Sequence, residues 1–363
     1  MGESQTIPPV GQILETLSNV TGPTGEESTV MEVLNRWWHQ LGTVERTPIG
    51  NMLLRVAPDS PAARDAAPRL VIAAHADELS LMVQSIDANG FLRVIGGASD
   101  RLDWPYFVQQ QVRVVTPAGE LPGIFATTTG HVMTDEQRKR EPLSWHHVFV
   151  DIGARSDSEA REWGVRVGHS IVWGTRCQRV GHYLAGKCFD DRVGLAIMTR
   201  LAAELDRRRL CFHLTLAATV QEEIGLIGGY SLGGSEAYDA AIVLDNGLAG
   251  DIPTVDPENM PVKLGGGPIL VVRDSSVQYH RPLIAYLEGV AAAAELPLQR
   301  AILFHYGSDG ATLTKKGLPT ALLAPPMRYS HSPIEVLCEA DLEATVALLA
   351  AFVHTPPPTF LRK

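Results

Sequence analysis

Apolar residues recur every three or four positions over Ile13–Leu17 and again through Glu26–Leu41, where Val30, Val33, Leu34, Trp37, Trp38 and Leu41 fall on one face. The Gly-Pro-Thr-Gly string at Gly22–Gly25 separates the two runs, so the spacing predicts helix, turn, helix. Short apolar runs at Leu53–Val56 and Leu70–Ala74 flank a Pro- and Ala-rich loop over Ala57–Pro68 and predict strands, either a hairpin or two strands of one mixed sheet. From Leu79 the period shortens to two. Runs at Leu81–Ile86, Phe91–Ile95, Val108–Val115, Gly123–Thr127 and Val148–Ile152, punctuated by Asn-Gly, Gly-Gly and Pro-Ala-Gly, predict a small β-rich module with one helix at Ser156–Trp163.

After Gly186 the longer period returns. A helix is expected over Asp191–Arg207, with Leu195, Met198, Leu201 and Leu205 on its apolar face. Strands at Phe212–Val220, Ala240–Leu244, Ile269–Val272 and Thr320–Ala324 alternate with helices at Pro282–Ala294, Gly310–Lys316 and Ala340–Val353, the pattern of a layered α/β sheet. The simplest organisation is a discontinuous α/β domain, residues 1–79 and 171–363, interrupted by an inserted β-rich domain at 80–170.

Composition narrows the class. A chain of 363 residues, 45% hydrophobic and 20% charged, is long enough for about two domains with a sizeable core. Its 33 glycines and 24 prolines stay below the share that marks low complexity. Forty-one acidic against 31 basic residues give a net charge of −10, which argues against nucleic-acid binding driven by phosphate neutralisation. Cys177, Cys188, Cys211 and Cys338 form no C-x-x-C pair, so a reducing, cytoplasmic setting is expected. Met1–Val10 has Glu3 and no basic stretch ahead of an apolar run, and no segment reaches the roughly 20 apolar residues of a membrane span. Neither a secretory signal nor a membrane partner is expected.

In open α/β sheets ligands gather beyond the carboxyl ends of the strands, and those ends here are rich in donors. Leu70–Ala74 runs into His75-Ala76-Asp77-Glu78, Phe212–Val220 into Glu222-Glu223, Ala240–Leu244 into Asp245, and Thr320–Ala324 into a loop bearing His331, while Asp190-Asp191 precedes a helix. Taken singly, each has a plainer explanation. Asp190 suits a helix N-cap, Glu222-Glu223 a solvated loop, Asp245 a turn ahead of Asn246-Gly247, and a lone histidine a core or surface position. Five such coincidences at equivalent positions are harder to accept than one site. Imidazole and carboxylate donors without sulfur suit Zn²⁺, Co²⁺ or Mn²⁺.

The strings Ala74–Glu78, Gly186-Lys187-Cys188-Phe189-Asp190-Asp191-Arg192-Val193-Gly194, Val220–Gly225, Leu244-Asp245 and Tyr329–Glu335 resemble the metal-site segments of the M42 family of dinuclear aminopeptidases, which includes glutamyl and tetrahedral (TET) aminopeptidases. The resemblance extends in order over about residues 10–354, through Ile86–Arg93, Val150–Ala154 and Arg273–Ser276. It implies a layered α/β/α metallopeptidase domain with an inserted, barrel-like dimerisation domain. It also implies two divalent ions ligated by His75, Asp190, Glu223, Asp245 and His331. Asp190 would bridge, His75 and Asp245 would serve one ion, and Glu223 and His331 the other. Such a pair, about 3.5–4 Å apart, shares a hydroxide and polarises a peptide carbonyl.

Glu222 is then the general base that later protonates the leaving amine. Asp77, two residues after His75 in extended backbone, is placed to accept the other ring N–H of His75. Asp191 and Arg192 either shape the ligand loop or act as a cap and a surface ion pair. Two departures from the family pattern, Ala76 and the stretch His305-Tyr306-Gly307-Ser308-Asp309-Gly310, fall where substrate space is expected.

The implied activity is removal of N-terminal residues from short peptides by a self-associating enzyme, a dimer that builds a tetrahedral dodecamer. A glycoside hydrolase using Glu222 and Asp190 is the alternative enzyme. It leaves both histidines unexplained and has only 6% aromatic residues for sugar stacking. The non-enzymatic alternative is a peptide-binding assembly with a degenerate site.

Overall fold

Arg69–His75, His213–Thr219, Ala240–Leu244 and Thr320–Ala324 run parallel and adjacent in the middle of an eight-stranded sheet. The computed structural model describes residues 6–97, 107–138 and 143–361, so Met1–Gln5 of the amino-terminal reading lie outside the described residues. Covering both faces of a parallel strand removes the reason for alternation. Ala240–Leu244 and Thr320–Ala324 are accordingly buried at every position. The sheet order is Thr43–Arg46, Met52–Val56, His213–Thr219, Arg69–His75, Ala240–Leu244, Thr320–Ala324, Ile269–Arg273, Gln299–Ile302. Met52–Val56 and Arg69–His75 do not form the hairpin that their proximity allowed. His213–Thr219 lies between them, and the link contains the helix Pro61–Ala66.

Helices flank this sheet in two groups. Phe189–Glu204 packs against Val10–Ser18, Glu339–His354 and the strand Arg69–His75. Ile227–Ser235 and Asp309–Lys315 pack on each other and over neighbouring strands. This is the layered α/β fold expected from the alternation of elements.

Six strands between Leu81 and Trp173 close into a barrel with its own hydrophobic core. Leu81, Val83, Leu92, Val94, Val112 and Val114 point inward at every second position, which is why a period of two was legible there. The closing strand, Ser170–Trp173, pairs with both Leu81–Ile86 and Gln110–Thr116. It is short and buried throughout, so it shows no alternation. The helix Asp157–Glu162 starts where the Ser156 hydroxyl accepts from Glu159 N at 3.1 Å.

A second, five-stranded sheet was not anticipated. It joins Gln178–Val180, Tyr183–Gly186, Glu335–Leu337, Pro326–Arg328 and Gly247–Leu248, and so brings the segment around His331 beside the one around Asp190. Asn246-Gly247, read as a turn, instead leads into one of these strands. No helix of the described residues is long and apolar enough to cross a membrane.

Candidate metal centre

His75 ends the strand Arg69–His75, Asp245 follows Ala240–Leu244, and Glu222 and Glu223 follow His213–Thr219 after Val220 and Gln221. Neighbouring parallel strands therefore deliver four of the candidate groups to one edge. Asp190 enters from the start of the helix Phe189–Glu204, and its peptide bond to Asp191 is cis. His331 enters from the loop between Pro326–Arg328 and Glu335–Leu337.

Asp190 is the common member. Its Oδ1 lies 3.1 Å from His75 Nε2 and its Oδ2 lies 3.1 Å from His331 Nε2. Donor atoms of His75, Asp190 and Asp245 lie within 4.8 Å of one another, and so do those of Asp190, Glu223 and His331. Glu223 Oε1 is buried and has no hydrogen-bond partner among the described residues. A donor set of two imidazoles and three carboxylates, with one carboxylate common to both groups, fits a pair of divalent cations.

On an extended strand adjacent residues such as Glu222 and Glu223 would point to opposite sides. They lie instead in a turn that begins at Gln221, whose φ is 54°. The separation still results: Glu222 Oε2 is 4.0 Å from His75 Nε2, and Glu223 Oε2 is 3.9 Å from His331 Nε2. Cys188, Leu226, His305, Tyr329 and His331 also have left-handed backbone. Such conformations cost free energy for side chains with a Cβ and gather at functional sites.

Asp77 is the hub beneath the cluster. Its carboxylate accepts from Glu222 N at 3.0 Å, Glu223 N at 3.2 Å and Thr24 Oγ1 at 2.9 Å. His75 Nδ1 faces the same residue, 3.2 Å from its carbonyl oxygen and 3.5 Å from its carboxylate. Asp191 and Arg192 are not a surface pair, because both are buried. Asp191 accepts from His75 N and Gly194 N, and Arg192 donates to the carbonyls of Leu17, Val20 and Gly22.

The titration behaviour is that of carboxylates crowded together in a dry place. Burial, then the neighbouring carboxylates, pushes Glu222 and Asp245 well above the carboxylate range and Glu223 up to about 7. Burial alone would do the same to Asp190, but hydrogen bonds from His331 and His75 hold it far below. Burial disfavours the charged imidazoles, yet the surrounding carboxylates raise His75 and bring His331 to about 10. Cationic rings thus answer negative charge that metal ions would answer more fully.

Two supporting groups were missed. Glu335, four residues after His331, accepts from His331 N at 3.0 Å and Asp190 N at 3.1 Å, tying the two segments together. Its presence in the Tyr329–Glu335 string was the available signal. Glu78 binds Lys187 Nζ at 2.5 Å with Arg192 at 3.6 Å, a buried trio whose members are scattered in sequence. The cleft over the cluster encloses about 430 Å³, and its lining includes Leu226, Asn246, Leu248, His305, Tyr306 and Gly307. Of the two departures, His305–Gly307 falls on the cleft, whereas Ala76 is buried in the hydrophobic core and does not line it.

Comparison with known proteins identifies the family. The profile of the M42 glutamyl aminopeptidase family matches residues 59–348. A lysyl aminopeptidase of Pyrococcus furiosus is 30% identical over 305 residues, covering 81% of this chain and 84% of the relative. The crystal structure of a TET aminopeptidase from a marine-sediment Thaumarchaeota archaeon superposes with a TM-score of 0.90 at 28% identity, covering 97% of this chain and 98% of that one. The TET1 peptidase of Pyrococcus horikoshii, which can assemble into a tetrahedron or a large octahedral shell, superposes with a TM-score of 0.84 at 26% identity, over 95% and 99% of the two chains.

Proposed function

The chain belongs to the M42 glutamyl aminopeptidase family and is a peptidase, and from that premise we propose a dinuclear metallo-aminopeptidase that removes residues from the free N-termini of short peptides. The observation that carries this reading is the shared carboxylate, Asp190, which offers one oxygen to each of two imidazole–carboxylate groups. His75, Asp190 and Asp245 would hold one divalent ion and Asp190, Glu223 and His331 the other. Zn²⁺ or Co²⁺ suits these donors best, with Mn²⁺ next. When bound, the pair supplies Lewis acidity toward the peptide carbonyl and makes water acidic enough to ionise near neutral pH.

This chain's own residues then move the proton. Glu222 is buried and in reach of the cluster without belonging to either ligand group. Its raised proton affinity suits a base that takes a proton from water and returns it to the leaving amine. Asp77 fixes the base and two candidate ligands together, since the backbones of Glu222 and Glu223 and the ring of His75 all lean on it. The inserted barrel, whose closing strand Ser170–Trp173 carries it a few residues past the bound of 170 read from the sequence, is assigned to self-association, and the chain on either side of it to a two-part catalytic domain. The protein is placed in the cytoplasm, whose reducing conditions keep its four thiols free.

A panel of aminoacyl-p-nitroanilides with N-acetylated controls tests the reading, using metal-reconstituted wild type and Glu222→Gln. Metal-dependent cleavage of free-amine substrates alone is expected, with kcat lower by about 10²–10⁴ in the variant. Two bound ions per chain with no panel member cleaved would overturn the substrate class. An active Glu222→Gln would overturn the base.

A further inference from the structure

One wall of the cleft carries a chain of hydrogen bonds that reaches one candidate metal subsite and not the other. Asp245 Oδ1 accepts from Asn246 N at 2.7 Å and from Asn246 Nδ2 at 3.3 Å. The Asn246 carbonyl in turn accepts from the Tyr306 hydroxyl at 2.6 Å. Tyr306 is itself gripped from behind. Its N donates to Ser275 Oγ at 3.2 Å and its carbonyl accepts from Ser275 N at 3.2 Å. The run is therefore Ser275, Tyr306, Asn246, Asp245, and the Tyr306 hydroxyl also hydrogen-bonds the Asp245 carboxylate directly. Glu223 and His331 take their backbone support elsewhere, from Asp77 and Glu335.

A carboxylate ligand whose orientation is not held must give up rotational freedom when it binds a cation, and outer supports of this kind typically contribute 10–100-fold in metal affinity. We propose that Tyr306 is a positioning residue for a single metal subsite. It acts on Asp245 directly and through Asn246 to hold it in its ligating orientation, sets the affinity of the His75–Asp190–Asp245 group, and leaves the Asp190–Glu223–His331 group unaffected. The inference rests on the two-subsite reading above and deepens it, because it makes the two subsites separately tunable.

Cobalt binding measures this without recourse to activity. Co²⁺ is titrated into the full-length chain by calorimetry and by visible absorption, first in the wild type and then in two backgrounds that each keep one subsite, His331→Ala and Asp245→Asn. Tyr306→Phe, which keeps the ring and removes only the hydroxyl, is expected to weaken Co²⁺ about 10-fold or more in His331→Ala. In Asp245→Asn it is expected to change affinity less than about 2-fold, a small fraction of that range. Ser275→Ala, at an exposed position, loosens Tyr306 from the other side and is expected to show the same selectivity. Equal losses in both backgrounds, or no loss in either, would overturn the proposal while two ions still bind the wild type. A wild type that does not take two ions overturns the two-subsite reading and this inference with it.

Discussion

Asp309 shows what burial does to a carboxyl that no cation meets. One oxygen lies 2.6 Å from the Thr219 hydroxyl, and the other is pressed against Gly229, where a Cβ would stand only 2.3 Å away. The Thr219 hydroxyl also faces the Ala74 carbonyl at 3.2 Å, and its single proton cannot serve both acceptors. A protonated Asp309 resolves the conflict by donating to Thr219, which then donates to Ala74. Burial accordingly pushes Asp309 up to about 6 from an ordinary 3.8. A carboxyl whose pKa is higher folded than unfolded binds its proton more tightly in the native state, so the contribution of Asp309 to native stability falls as pH rises from 3.8 to about 6 and then levels. Asp309→Asn keeps a donor toward Thr219 and removes the charge. Its unfolding free energy in urea, relative to wild type, is expected to climb between pH 4 and 6 by at most about 3 kcal/mol and to stay level to pH 8. A difference independent of pH would show that Asp309 is not the titrating group. No spacing rule marks this residue, because its significance comes from Thr219, 90 positions away. The candidate ligands were legible because each sits just beyond a recognisable apolar run or inside a family string. Asp77's grip on the Glu222 and Glu223 backbones was not, since a turn at Gln221 creates it.

Elements were legible in proportion to their length and to the asymmetry of their burial. Ala240–Leu244 and Thr320–Ala324 match their apolar runs to the residue. Strands of two to four residues in the second sheet carry too little sequence to show a period, and they exist because flanking segments bring them together. The helix Ile227–Ser235 was missed for a different reason. Its sequence, IGGYSLGGS, holds four glycines, each costing roughly 1 kcal/mol relative to alanine. Gly228 accounts for its own presence. A Cβ there would meet the backbone N and O of Val220 at 2.5 Å and Asn51 Oδ1 at 2.7 Å, so only glycine lets this helix close on the segment that leads to Glu222. The contact is sealed by Gly228 N to Val220 O at 2.9 Å and by Asn51, which bonds both residues. Gly228→Ala is expected to lose about 1–3 kcal/mol in thermal unfolding and to lower kcat through displacement of Glu222. Gly234→Ala, in open space on the same helix, should leave kcat unchanged and raise stability slightly. If both variants respond alike, helix propensity rather than close approach governs the element.

At the scale of the molecule, the open site demands protection. The cleft is accessible in the single chain, and the His331 side chain is 42% exposed, so a free subunit could engage any flexible N-terminus that reached it. Ile224, Phe304, Tyr329 and Ile334 stand exposed on segments around the site, and Ile95 and Ile124 on the barrel. Burial between copies would remove that surface from water and wall off the site together. Light scattering is therefore expected to show a multimer many times the subunit mass, and a stable monomer at micromolar concentration would refute the assembly. Ile124→Glu places a charge on the exposed barrel face, where burying it unpaired opposes association, and should lower the mass without altering the two-ion stoichiometry. Substrate size then reports the consequence. The assembled enzyme should trim short peptides and leave a folded protein with a flexible N-terminal tail intact, and the dissociated variant should lose that discrimination while still cleaving aminoacyl-p-nitroanilides. Tails left intact by both forms would place the barrier within the single chain, and tails trimmed by both would show that association excludes nothing.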